Sequence, residues 1–285
     1  MTELRKWTRG ARRLALAGTC LLTMASCAAF QQSEDAESLE DLTAEEIYRR
    51  AEFTLESGDG AEAADLFGEV ERLYPYSELA RRALVMQAYS YHLDRDYEAA
   101  RGAAERFLSN YPADEDAPWA QYIVALSYYD QIDDVGRDQG LTFQALQALR
   151  TVIEAHPNSE HARSASLKFE LAFDHLAAKE MEVGRYYLKQ GHYLAAVNRF
   201  RVVVEDFQTT SQTPEALHRL VEGYLALGLE SEAQTAGAVL GHNFRSTEWY
   251  GSSYALLTGN GLEPVARGDS WLRRVFRQTL RGEWL

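Results

Sequence analysis

The sequence predicts an all-α fold: a tetratricopeptide-repeat superhelical solenoid of about five helix-turn-helix repeats with a C-terminal capping helix. Three observations predict it. First, residues 179–204 read KEMEVGRYYLKQGHYLAAVNRFRVVV, two helical patterns that meet at Gly191. In the second, Tyr193, Ala196, Phe200 and Val203 recur at steps of three and four, which brings them to one helix face. Gly191 tolerates the positive φ that a chain leaving one helix requires. Second, this layout recurs. Ala63, Ala100, Ala145, Ala196 and Ala233 mark the second helices at spacings of 37, 45, 51 and 37 residues. That is a basic period of about 34 residues stretched by insertions. Third, the first helices carry a small residue at Ala51, Ala88, Gly184 and Val221, and Tyr91, Tyr128, Tyr187 and Tyr224 fill a common tyrosine position. Six prolines and the lack of alternating Val/Ile runs argue against a β-rich fold.

The chain opens on a basic segment, residues 1–13, followed by the apolar run LALAGTCLLTMAS. That is the layout of a secretory signal peptide over residues 1–26, and its apolar part is too short to span a bilayer. The ending Leu22, Thr23, Met24, Ala25, Ser26, Cys27 is similar to a bacterial lipobox, with Met24 where leucine is usual. Cys27 is the expected lipidation (palmitate) site, and each buried CH₂ of an acyl chain contributes about 0.8 kcal/mol of anchoring. Ala28, rather than Asp, follows the cysteine. Likeness to lipoproteins then implies the periplasmic face of the outer membrane. A plain secretory signal with an incidental cysteine is the alternative. Residues 27–41 read as a flexible tether, polar and acidic from Gln31 to Asp41. Cys20 and Cys27 are the only cysteines, so the folded body must hold together by core packing alone.

The repeats fall at approximately 42–76, 77–113, 114–158, 179–210 and 213–245, a solenoid over residues 42–258. The third carries a polar insertion, DQIDDVGRDQG at 130–140, between its helices. Residues 159–190 contain no proline and few breakers, and read as one long helix that joins two blocks of repeats rigidly. Residues 246–258 form the cap that covers the last apolar face, with Ser246 or Thr247 as its N-cap. Residues 259–285 are a linker and a short basic amphipathic tail. There Trp271, Leu272, Val275, Phe276 and Leu280 interleave with Arg273, Arg274, Arg277 and Arg281. A tail of this kind docks on the acidic solenoid, on a partner or on anionic lipid.

The net charge is −14, and the N-terminal segment is basic, so the body is more acidic still. Phosphate backbones would be repelled, so nucleic acid is not an expected partner. The seven histidines form no HExxH motif and no metal-ligand spacing, and neither a phosphate-binding glycine loop nor GxSxG occurs. Glu56-Ser57 and Glu230-Ser231 repeat the Glu-Ser pair of lytic transglycosylases, but each lies at a repeat turn without a catalytic domain. No catalytic residue, cofactor or metal is expected. A periplasmic repeat adaptor that regulates peptidoglycan synthesis or cell division is one non-enzymatic reading, though no sustained heptad is present.

A resemblance favours another. The segments RLYPYS (72–77), AYSYH (88–92), AERFLSNYP (104–112), HPNSEHA (156–162), VGRYYLKQGHYLAAVNRF (183–200) and YLALGL (224–229) resemble the BamD family. These are repeat lipoproteins of the β-barrel assembly (BAM) machinery. The resemblance covers about residues 44–257, and the tail beyond Gly259 lies outside it. It implies a non-catalytic outer-membrane scaffold that helps recruit and insert β-barrel proteins. Its partners would be the insertase BamA, other BAM lipoproteins and unfolded outer-membrane β-barrel proteins. On that reading, Tyr48, Tyr89 and His92 line an N-terminal groove for the substrate's targeting strand, with Tyr74 and Tyr76 at its rim. Tyr91, Tyr97 and Phe107 are read instead as core between helices. Arg199, in NRF, matches an arginine of the family's insertase-docking region, and Arg185 and Arg201 reinforce a basic spot suited to a carboxylate partner. The alternative for Arg199 is an ordinary surface arginine.

Overall fold

The computed structural model describes residues 38–265. The signal segment, Cys27 and the basic tail from Trp271 lie outside the described residues. Within them are eleven α-helices and no strand. They are α1 (Ala44–Glu56), α2 (Gly60–Leu73), α3 (Glu78–Leu93), α4 (Tyr97–Asn110), α5 (Ala117–Tyr129) and α6 (Gly140–Ala155). Then follow α7 (Glu160–Lys189), α8 (Tyr193–Asp206), α9 (Thr213–Ala226), α10 (Glu230–Asn243) and α11 (Glu248–Gly259). Each helix packs on the next. In addition α1 touches α3, α3 touches α5, α5 touches α7 and α9 touches α11, so the first helices of the repeats form a layer of their own. This is a tetratricopeptide-like solenoid closed by α11.

Local chemistry explains the boundaries. Thr43 and Glu46 cap α1 reciprocally, each side chain accepting from the other's backbone amide. Asp59, Ser77, Asp96 and Ser159 accept the third amide of α2, α3, α4 and α7. Pro118 and Pro214 sit in the first turns of α5 and α9, where the missing N–H costs nothing. Thr247 occupies the N-cap position of α11, but its hydroxyl donates to the Phe244 carbonyl at 2.8 Å instead of receiving an amide.

The turns inside the repeats share one geometry. Gly58, Arg95, Gly191 and Gly228 have φ of +94°, +66°, +78° and +73°. The following amide closes each turn onto the carbonyl of Thr54, Tyr91, Tyr187 or Tyr224, at 2.8–3.2 Å. The recurrent tyrosine position therefore marks the carbonyl on which the chain reverses. The third repeat lacks this turn. Its loop between Tyr129 and Gly140 is instead tied to α7, where the Lys179 ammonium donates to the Gly136 carbonyl at 2.8 Å.

Ser38 begins a 3-10 turn over Leu39–Asp41, within the stretch expected to be tether. Leu39 and Leu42 pack on the first apolar cluster, which ties this turn to α1 and α2. That cluster is built from Ile47, Phe67, Val70 and their neighbours. A larger one spans repeats two and three around Leu84, Phe107, Ile123 and Leu149. Another spans repeats four and five with α11, around Met181, Phe200, Leu217, Leu240 and Leu257. Between these two lies a small cluster, Ala172 and Leu176 from the middle of α7 with Leu146 of α6, flanked by half-covered aromatics.

Candidate partner-binding surfaces

The five residues expected to form the N-terminal groove do not stand on one open surface. Tyr48 is 6% exposed, with its ring edge-on to Phe67 at 5.2 Å between centroids. Ala44, Ile47, Tyr48 and Ala51 are all buried on α1 at steps of three and four, so Tyr48 belongs to the core stripe. That placement corrects the expectation of a groove-lining Tyr48. Tyr74 is the C-cap of α2, and its hydroxyl donates to the Leu42 carbonyl, latching the second helix to the segment before the first. Tyr89 is half-buried against Trp119 of α5 at 5.4 Å. Tyr76 is fully exposed.

His92 is also turned inward, its side chain 10% exposed. Its Nε2 lies 3.2 Å from the Asp130 carboxylate and its Nδ1 3.5 Å from Ser127 Oγ. Burial pushes the imidazole pKa down, against the pull of Asp130. The order Ser127, His92, Asp130 has the outline of a nucleophile, base and acid. Ser127, however, is fully buried, and its hydroxyl donates to the Ile123 carbonyl at 2.8 Å. No substrate reaches it, and the trio serves to join α3 to α5.

The three arginines of the C-terminal half each hold a carboxylate of their own chain. Arg185 reaches Glu215 of α9 at 2.9 Å, Arg199 reaches Glu180 of α7 at 3.0 Å, and Arg201 reaches Glu205 at 2.8 Å. Arg199 and Arg201 are two residues apart on α8, about 200° around the helix, so they face different ways. Arg199 stays 45% exposed, open enough to meet a second carboxylate.

Two features were not expected. Arg185 opens an ionic chain across first helices: Glu215 also binds Arg219, which binds Glu222 at 2.8 Å and lies over the Trp249 ring. His218 extends it, 3.7 Å from Glu222 and 2.8 Å from Ser253 Oγ of α11. Four-residue spacings within TPEALHRLVEGYL signal the helical pairs, but the links between helices have no local signature. The other feature is a series of exposed apolar residues at the turns inside the repeats: Phe53, Leu93, Tyr186, Leu194, Leu227 and Leu229. These turns lie on one edge of a solenoid, and apolar residues repeated there suit a protein partner.

Among the described residues, no group of His, Cys, Asp and Glu is placed to hold a metal ion, and no helix is long and apolar enough to cross a membrane.

Comparison with known proteins places the chain. A family model described as outer membrane lipoprotein (YfiO) matches residues 40–240. A Caulobacter vibrioides protein named outer membrane protein assembly factor BamD is 49% identical over 226 residues, 79% of this chain and 74% of the relative. The Rickettsia prowazekii protein of that name is 41% identical over 211 residues, 74% of this chain and 84% of the relative. A Neisseria meningitidis protein of the same name is 29% identical over 244 residues, 82% and 91% of the two chains. With the match running from the turn before α1 into α10 and covering most of each relative, the chain belongs to the BamD family.

Proposed function

We propose that this chain is a non-catalytic scaffold of outer-membrane protein assembly, held to the periplasmic face of the outer membrane through Cys27. The observation that carries this reading is family membership over residues 40–240, from the turn before α1 into α10. Repeats four and five dock on a BamA-type insertase, with Arg199 and the apolar turn residues Leu194, Leu227 and Leu229 at the contact. The N-terminal repeats receive the targeting strands of unfolded β-barrel proteins, with Tyr76 and Tyr89 as the accessible rings of the expected set. The physics is consistent with a scaffold. No ATP is available in the periplasm, so assembly is driven by binding and by burial of the product in lipid. An array of helices with a long open surface holds an extended segment without chemistry.

The test is copurification from detergent-solubilised membranes. The wild-type chain is expected to bring down the insertase. Arg199→Glu is expected to reduce the yield about tenfold, the effect of losing one good interfacial charge pair. Because Arg199 also binds Glu180, the same change is made together with Glu180→Arg. That swap restores the internal pair but not the outward charge. If the swap restores copurification, Arg199 acts inside the chain and the docking site lies elsewhere. If the wild type brings down cell-wall synthases and no insertase, the scaffold reading fails. In the same preparation, Cys27→Ala is expected to leave the membrane fraction. Retention of that variant would remove the lipid anchor from the proposal.

A further inference from the structure

The middle of α7 presents an apolar groove that none of the roles above uses. Phe143 and Leu146 of α6, Phe169 and Phe173 of α7, and Phe207 after α8 line an open cavity of about 320 Å³. A second, about 500 Å³, continues past Phe169 and Phe173 to residues 209–211. Phe143 is 61% exposed; Leu171, which lines the second cavity, is 62% exposed, and Leu167, one turn before it on α7, is 66% exposed. That is more exposed apolar side chain than an ordinary solvated face carries. It lies where the solenoid buries least, at the small cluster of Leu146, Ala172 and Leu176.

The rim states the chemistry of the occupant. Glu170 and Asp174 border one end, and Asp206 the other. Asp174 is engaged with the amide and hydroxyl of Ser211. Arg150 lies over the Phe169 ring at 5.5 Å. Glu170 and Asp206 have no ion pair among the described residues. Partial burial, then the neighbouring carboxylates of Glu205 and Glu180, push the Asp206 carboxyl up. An apolar floor with unpaired acids at its rim fits a segment that alternates aromatic or aliphatic residues with arginine.

The chain carries such a segment. After Val265 come Trp271, Leu272, Val275, Phe276 and Leu280, interleaved with Arg273, Arg274, Arg277 and Arg281. The last described residues are pinned to α10, where Gln234 donates to the Glu263 carbonyl at 2.8 Å. From α10 to α8 is two helix spacings, about 20 Å. The length of α8 adds about 21 Å along the axis, so Phe207 lies roughly 30 Å away. Eleven residues from Val265 to Phe276 extend to about 36 Å, enough to deliver the tail.

We propose that the basic C-terminal tail docks intramolecularly in the α6–α7–α8 groove, its apolar residues on Phe143, Phe169, Phe173 and Phe207 and its arginines on Glu170 and Asp206. So placed, it covers the weakest seam of the solenoid and braces the two blocks of repeats against each other. It also withholds this apolar surface from other proteins.

The test places a photo-crosslinking residue at Phe143, and separately at Leu171, in the purified full chain. The crosslinked peptides are then read by mass spectrometry. The expected result is a link to the peptide containing Trp271–Arg281, on a single chain, in a yield unchanged by dilution. Reversing Arg273, Arg274 and Arg277 to Glu is expected to lower that yield about tenfold. A tail link that vanishes on dilution means docking between copies and overturns the proposal. So does a tail link indifferent to the charge reversal, or the absence of tail links from both positions.

Discussion

His218 shows how one side chain couples the fold to pH. It is 6% exposed, its ring lies against Trp249 of α11, and it exchanges a hydrogen bond with Ser253. The charged groups facing it are Glu222, Arg219 and Glu215. Burial lowers its pKa, with Glu222 opposing, so the folded state takes up the proton later than an unfolded histidine near pH 6.5. The sign follows. Above the unfolded value both states are neutral, and the full stability is present. As pH falls through that value the unfolded chain gains a proton that the folded chain refuses, and stability declines until the lowered folded pKa is passed. His92 and His161, both lowered by burial, act in the same direction. Thermal midpoints of the wild type are therefore expected to drop between pH 7 and pH 5.5, and those of His218→Gln to drop less. Equal slopes would mean that His218 plays no part. The residue scale is also where sequence reading reached its limit. Gly58, Gly191 and Gly228 announce their turns by being glycine, whereas Arg95 adopts φ of +66° with only its repeat register to mark it. Tyr48 sits in phase with Ala44, Ile47 and Ala51, a signal for the core that a binding role obscures. The partners of Arg185 and Arg199, by contrast, are 30 and 19 residues away, and no local pattern reveals them.

At the scale of elements, the contact between α7 and α8 is set by Gly184. A β-carbon placed there would stand 2.4 Å from the Phe200 ring, which is itself fully buried. Two effects oppose each other in Gly184→Ala. Alanine favours a helix interior by about 1 kcal/mol over glycine. Overpacking a filled core costs about 1–3 kcal/mol, and the Phe200 ring has nowhere to retreat. The clash wins, and denaturant unfolding is expected to show a net loss of about 1 kcal/mol. In a Phe200→Leu background the same glycine change is expected to be neutral or stabilising. A loss of equal size in both backgrounds would place the cost elsewhere than in this contact. The small-residue position of the first helices was legible from the sequence because the repeats impose it at Ala51, Ala88 and Gly184. The 30-residue length of α7 has a similar origin: Ser159 caps its start, the turn at Gly191 ends it, and no proline intervenes.

For the molecule as a whole, the distribution of buried side chains decides how it unfolds. A solenoid is held by contacts within repeats and between neighbours, so its weakest seam sets its cooperativity. That seam is the centre of α7, where Ala172 and Leu176, with Leu146 of α6, form the small buried cluster between the block of repeats one to three and that of repeats four and five. Elsewhere, adjoining repeats share large clusters, around Leu84 and Phe107 on one side and Phe200 and Leu217 on the other. The amphipathic pattern reads each repeat well but says little about the seam, because half-covered aromatics such as Phe169 and Phe173 serve a core or a groove equally well. Leu176→Ala should remove about 2–5 kcal/mol, most of it from the coupling between blocks rather than from either block. Urea unfolding of that variant is then expected to resolve into two transitions, each with a smaller m-value than the wild-type transition, since each exposes part of the surface. Hydrogen exchange through the first transition should identify which block opens. If instead Leu176→Ala keeps one transition with an unchanged m-value and merely a lower midpoint, α7 itself transmits cooperativity. The two blocks would then be joined by the continuity of one helix and not by the side chains packed at its middle.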